Sequence, residues 1–118
     1  MPDDQPVMTA LAEITAVSLL HSNLPAREHM IARLAALVAV DAPTASYVMN
    51  AGTAAQTGIT VEDVQGLLVA VAPLVGTARI VTAAERITEA LGFIIELAIA
   101  ELAAEVEAAD AASETDER

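Results

Sequence analysis

The chain is expected to be all-α, a compact bundle of about six helices, and three observations carry that expectation. It holds 27 Ala, the strongest helix former, against five Gly and five Pro, the two weakest. Apolar residues make up 55% of the chain but Phe, Tyr and Trp only 2%, so any core must be built from aliphatic side chains and Ala, which suits closely packed helices. Apolar positions also recur at i, i+3, i+4 and i+7 through most of the length. At 118 residues the chain suits one domain. That domain is placed at 1–109, with an acidic, disordered tail over 110–118.

In order, Met8 to Leu20 reads as a first helix with Leu11, Ile14, Val17 and Ser18 near one face. SNLP breaks it, with Asn23 as N-cap of a second helix from Pro25 to Val40. The stripe of this second helix is Ile31, Leu34, Ala35 and Val38, and from Leu34 onward it has no polar face, which predicts burial on all sides. Asp41 caps a third helix from Pro43 to Thr57, and Gly58 stops it. Thr60 opens the fourth with Asp63 three residues on, a relative of the capping box. Val64, Leu67, Leu68, Val71 and Val75 form its apolar stripe. Pro73 and Gly76 are expected to kink and end it. Thr77 starts a fifth helix with Ile80, Ala84, Ile87 and Leu91 inward and Arg79, Thr82, Glu85, Arg86 and Glu89 outward. Gly92 marks the boundary to a sixth, from Phe93 to Ala108.

The composition excludes much. Cysteine is absent, which removes disulfides, thiolate nucleophiles and Cys-ligated zinc together. His21 and His29 are the only histidines and stand eight apart, so a metal site would need carboxylates to complete its ligand set, and no such site is expected. Seventeen acidic residues against five Arg and no Lys give a net charge of −12, which repels a phosphate backbone, so neither nucleic acid nor an anionic membrane is an expected partner. The longest apolar run, Leu67 to Val75, contains Pro73 and falls short of the roughly 20 residues that span a bilayer. With neither a basic n-region nor a lipidation motif at MPDDQP, the expected location is the cytoplasm. Acid crowds the last quarter, from Glu96 to Glu117, and reads as a solubilising flank.

Helices without a polar face are hard to cover in so short a chain. A homo-oligomer, from dimer to hexamer, supplies the missing cover, because subunit interfaces resemble a core cut in half.

Three stretches, LPAREHMIARLAALVAVDAP, GTAAQTGITVEDVQGLLVAVAPLVG and TARIVTAAERITEALG, follow one another in an order that resembles the carboxymuconolactone decarboxylase family. This family includes the alkylhydroperoxidase D-like proteins, and the resemblance runs from Leu24 to Gly92, with TGITVEDVQGLL as its strongest part. It implies an all-helical, oligomeric, cofactor-free protein. Members of the peroxidase type carry a Cys-x-x-Cys pair and a His on the helix before the Gly that corresponds to Gly58. By the resemblance Asn50 stands at the His, and Ser46 and Pro43 at the two Cys. Without a thiolate there is no peroxidase chemistry, and Asn50 cannot act as a base near neutral pH. The decarboxylase branch also relies on that His. The family's Glu near the start of its second helix corresponds to Glu28.

The candidate catalytic residues are therefore His29 and Glu28, with Arg33, Ser46, Tyr47, Asn50 and Arg79 as candidate ligand-binding residues and Arg27 beside them. Arg side chains can grip a carboxylate or lactone oxygen by forked hydrogen bonds, and His29 is of the residue type that serves as general acid or base. Arg33 lies inside an apolar helix, so its charge calls for an anion or a carboxylate such as Glu62, Glu85 or Glu89. Two functions stay open: a lyase- or isomerase-type protein that acts on or binds a small organic anion, and a non-catalytic oligomeric scaffold or interaction module. A closed polar pocket containing Arg33, Tyr47 and Asn50 favours the first. Apolar packing at those positions favours the second.

Overall fold

The computed structural model describes residues 4–116 and is all-helical. Five helices follow in order among the described residues: α1 (Pro6–His21), α2 (Ala26–Ala39), α3 (Thr44–Gln56), α4 (Val61–Val75) and α5 (Thr77–Asp116). Pro6 opens α1, where a missing N–H costs nothing. Pro25 and Pro43 occupy the N-cap positions of α2 and α3, and neither helix has a side-chain cap, so Asn23 and Asp41 do not serve as caps. Asp41 instead takes a left-handed turn conformation, φ 57°, between the two helices. Asp tolerates this region better than most residues because its short polar side chain bonds locally.

The signals around α4 act as expected. Gly58 has φ 83°, a conformation that ends α3 without a Cβ clash. The Thr60 hydroxyl accepts from the Asp63 N–H at 3.1 Å, and the Asp63 carboxylate accepts from the Thr60 N–H at 2.9 Å. The capping box is complete, with Asp serving where Glu or Gln is usual. Pro73 lies within the last turn of α4, and Gly76, φ 89°, turns the chain into α5.

The expected boundary at Gly92 is not found. α5 runs unbroken for 40 residues, through Gly92 and through 110–116, where a disordered tail was expected. One Gly in a helix interior costs only about 1 kcal/mol, and its neighbours are Ala, Leu, Ile and Glu, which sustain a helix. Glu117 and Arg118 lie outside the described residues.

Nor is the bundle compact. At 1.5 Å per residue α5 is about 60 Å long, and it sets the long axis of a molecule measuring 66 × 35 × 27 Å. The radius of gyration is 18.3 Å, against about 13 Å for a compact chain of this length.

The core lies between α2, α3, α4 and the first third of α5. Met30, Leu34 and Val38 of α2 meet Ala42, Tyr47 and Ala54, Leu67 of α4, and Ala83 and Ala90 of α5. Ile80 and Ile87 pack beside them. The inward stripe of α5 is thus Ile80, Ala83, Ile87 and Ala90, whereas Ala84 and Leu91, expected inward, are exposed. In α2, Met30 is fully sealed and Ile31 is half-buried at the margin. The stripe of α4 falls where expected, with Leu67 buried and Val64, Leu68, Val71 and Val75 half-buried. α2 is not buried all round, since Ala32 and Ala36 are exposed.

Two elements stand outside this core. α1 buries none of its residues, although Val7, Met8, Leu11, Ile14, Val17 and Leu20 make it strongly apolar. On α5, every residue from Ile95 to Ser113 is exposed.

Candidate functional site

α3 presents two faces that do different things. Tyr47, Ala51, Ala54 and Ala55 look into a half-open cavity of about 130 Å³ lined also by Leu34, Leu67, Val64, Ile87 and Leu91. Its walls are almost wholly aliphatic. Tyr47 is 3% exposed, and burial pushes its phenol above the ordinary value of 10.0. The Arg86 charge opposes this rise and the Asp41 charge adds to it.

Ser46 and Asn50, one helical turn apart, stand on the flank of that face and do not line the cavity. The Asn50 amide donates to the Ser46 carbonyl at 2.8 Å, which fixes its carboxamide oxygen toward α2. Arg33 donates to that oxygen at 3.4 Å and to the Thr15 carbonyl of α1 at 3.3 Å. The expected meeting of Arg33 and Asn50 is therefore present, but Glu62, Glu85 and Glu89 are not its partners. Glu89 accepts instead from the Thr44 hydroxyl at 2.9 Å. Both acceptors of Arg33 are neutral, so its charge is met by dipoles that hold α1, α2 and α3 together.

The other expected residues are dispersed. Glu28 is exposed in the first turn of α2, where a carboxylate suits the positive end of the helix dipole. His29, next in sequence, is 8% exposed, and its Nε2 has no hydrogen-bond partner. The two are about 100° apart around the helix and do not form an acid–base pair. Arg79 is exposed and donates to the Ala39 carbonyl, which closes the C-terminal end of α2. Arg27 pairs with Asp63 across to α4. Hydrogen bonds from Thr60 lower the Asp63 carboxyl below its ordinary value, and Arg27 reinforces the effect.

Arg86 was expected on the outward face of its helix. It turns inward instead, donating to the Asp41 carbonyl at 3.0 Å, the Asp41 carboxylate at 2.9 Å and the Ala42 carbonyl at 2.9 Å. It stitches the left-handed turn between α2 and α3 to α5. No periodicity signal marks this role, because the targets are mostly backbone carbonyls more than 40 residues away.

Chemically, the cavity can take a small apolar group, and Tyr47 and Thr60 are the polar residues in its lining. Arg33, Asn50, His29 and Arg79 do not line it. No cluster of three or more His or carboxylate side chains that could hold a metal ion occurs among the described residues. No helix among them is long and apolar enough to cross a membrane. No family model, curated protein or solved structure matches the chain.

Proposed function

We propose that the chain is a non-catalytic interaction module that assembles with copies of itself in the cytoplasm. The observation that carries this reading is the apolar surface left uncovered: α1 exposes Val7, Leu11, Ile14, Val17 and Leu20, and the outer half of α5 exposes Ile95, Ile99, Leu102 and Val106. A helix apolar on most sides is normally buried, and exposed patches of this kind mark interaction sites. The resemblance to the carboxymuconolactone decarboxylase family, whose members are oligomeric, agrees with this reading.

The anion-binding alternative draws less support from the geometry. It needs cations converging on one cavity, whereas the cavity is aliphatic and Arg27, Arg33, Arg79 and Arg86 are engaged at four separate places. Light scattering after size exclusion tests the proposal: an oligomer is expected at micromolar concentration, and a strict monomer overturns it. A thermal-shift screen with small carboxylates and lactones tests its non-catalytic part. No stabilisation is expected, and a saturable rise in melting temperature that Arg33→Ala abolishes would return the protein to the ligand-binding class.

A further inference from the structure

We infer that the projecting half of α5 is the seat for α1 of a second copy, the two chains exchanging these helices reciprocally. The inference rests on the self-association proposed above and adds which surfaces meet.

Ile95, Ile99, Leu102 and Val106 are spaced 4, 3 and 4 residues apart and are each more than half exposed. That is the 3.5-residue repeat of a helix–helix seam, not the broader stripe of a helix lying on a globular core. Ala109 continues it. Beside the seam stand Glu96, Glu105 and Asp110, with Ala at the other flanking positions, and no Arg, Lys or His occurs from Ile94 to Ser113. Pairing α5 with another α5 therefore sets carboxylates against carboxylates, which is unfavourable at such flanking positions. The seam calls for an apolar helix poor in acid.

α1 meets that description. It holds one acidic residue, Glu13, ends on His21, and buries none of its apolar side chains on its own chain. Its 16 residues match the stretch from Ile95 to Asp110 in number, about 24 Å in each case. The two surfaces do not cover each other within one chain. α1 is tied back to α2 by the four residues Ser22–Pro25 and by Arg33 on the Thr15 carbonyl, while the seam lies on the part of α5 that leaves the body. A reciprocal exchange about a two-fold axis covers all four surfaces at once and closes on itself.

Two full-chain double variants at exposed positions test this arrangement. Ile99→Glu with Leu102→Glu spoils the seam, and Leu11→Glu with Ile14→Glu spoils α1. Each is expected to raise the self-dissociation constant by at least about 100-fold, since charge is placed in an apolar interface. Leu74→Glu on α4, at a still more exposed apolar residue, is expected to leave it unchanged. Mixing the two double variants, one of them ¹⁵N-labelled, is expected to restore a heterodimer by native mass spectrometry, because one intact α1 still meets one intact seam. Circular dichroism checks that helicity is kept; Gln at the same positions serves if Glu lowers it. Association that survives the α1 variant points to α5–α5 pairing, and association that survives the seam variant points to α1–α1 pairing. Either result, or a mixture without heterodimer, overturns the inference while self-association stands. A monomeric wild type overturns both.

Discussion

Within the body of the molecule Met30 and Val38 are sealed from water, whereas on the outer half of α5 Ile95, Ile99, Leu102 and Val106 stand more than half exposed. Both stretches are helical and aliphatic, so neither propensity nor hydrophobicity separates them. Neighbours do. α2 has α3, α4 and α5 packed against it, while the outer half of α5 has outrun every other helix. Burial is a property of the assembled surroundings, and a sequence shows only the demand for it.

Truncating a side chain in each region exploits the contrast most strongly. Met30→Ala removes a fully buried side chain and is expected to cost about 2–5 kcal/mol, the range for large-to-small core changes. Leu102→Ala, at an exposed position of an uninterrupted helix, is expected to stay within about 0.5 kcal/mol for the monomer. Urea denaturation at protein concentrations low enough to keep the chain monomeric measures both. Equal losses would mean that the outer half of α5 folds into the same cooperative unit as the body.

A middle-sized effect tests what joins the two ends of the body. Arg86→Ala leaves the Asp41 and Ala42 carbonyls without their shared donor and releases a turn held at positive φ. Losing a charged hydrogen-bond donor of this kind costs about 1–3 kcal/mol. Arg86→Lys is expected to recover only part of the loss, because an ammonium group does not reproduce the planar reach of the guanidinium. Full stability in Arg86→Ala would show that the turn holds without α5.

These two substitutions also mark what a reader of the chain can and cannot see. The box of Thr60 and Asp63, the stop at Gly58 and the stripe of α4 are local, set by residues within about one turn of each other, and all three are legible. The continuation of α5 through Gly92 is not, because a breaker's small cost is weighed against the propensity of a long flank. The inward reach of Arg86 is not legible for a different reason: two of its three acceptors are backbone carbonyls brought up by the fold, and carbonyls leave no trace in residue identity. The candidate site suffered in the same way. Arg33 and Asn50 do meet, yet the cavity opens on the adjoining face of α3, on Tyr47, Ala51 and Ala54. Which face of a short helix meets a hollow depends on the packing of its neighbours.

The smallest effect concerns pH, and it falls on the body alone. Asp63 accepts hydrogen bonds from Thr60 and faces Arg27, so its folded carboxyl titrates below the ordinary value of 3.8. A depressed folded pKa means that the unfolded chain binds the proton more readily. The stabilisation is then complete above the unfolded value and is lost as pH falls through the folded one. Asp63→Asn removes the titrating group. The melting-temperature gap between wild type and Asp63→Asn is therefore expected to be constant above about pH 5 and to shrink below about pH 4. A gap that holds steady into strong acid would show that the carboxylate's charge contributes nothing to the cap. Because the pair lies at the surface, with the Arg27 side chain about half exposed, salt screens it, and that share of the gap should also narrow in 1 M salt. The hydrogen bonds of the cap are short-range and should survive it, so the salt series separates the ion pair from the capping box that positions α4 against the core.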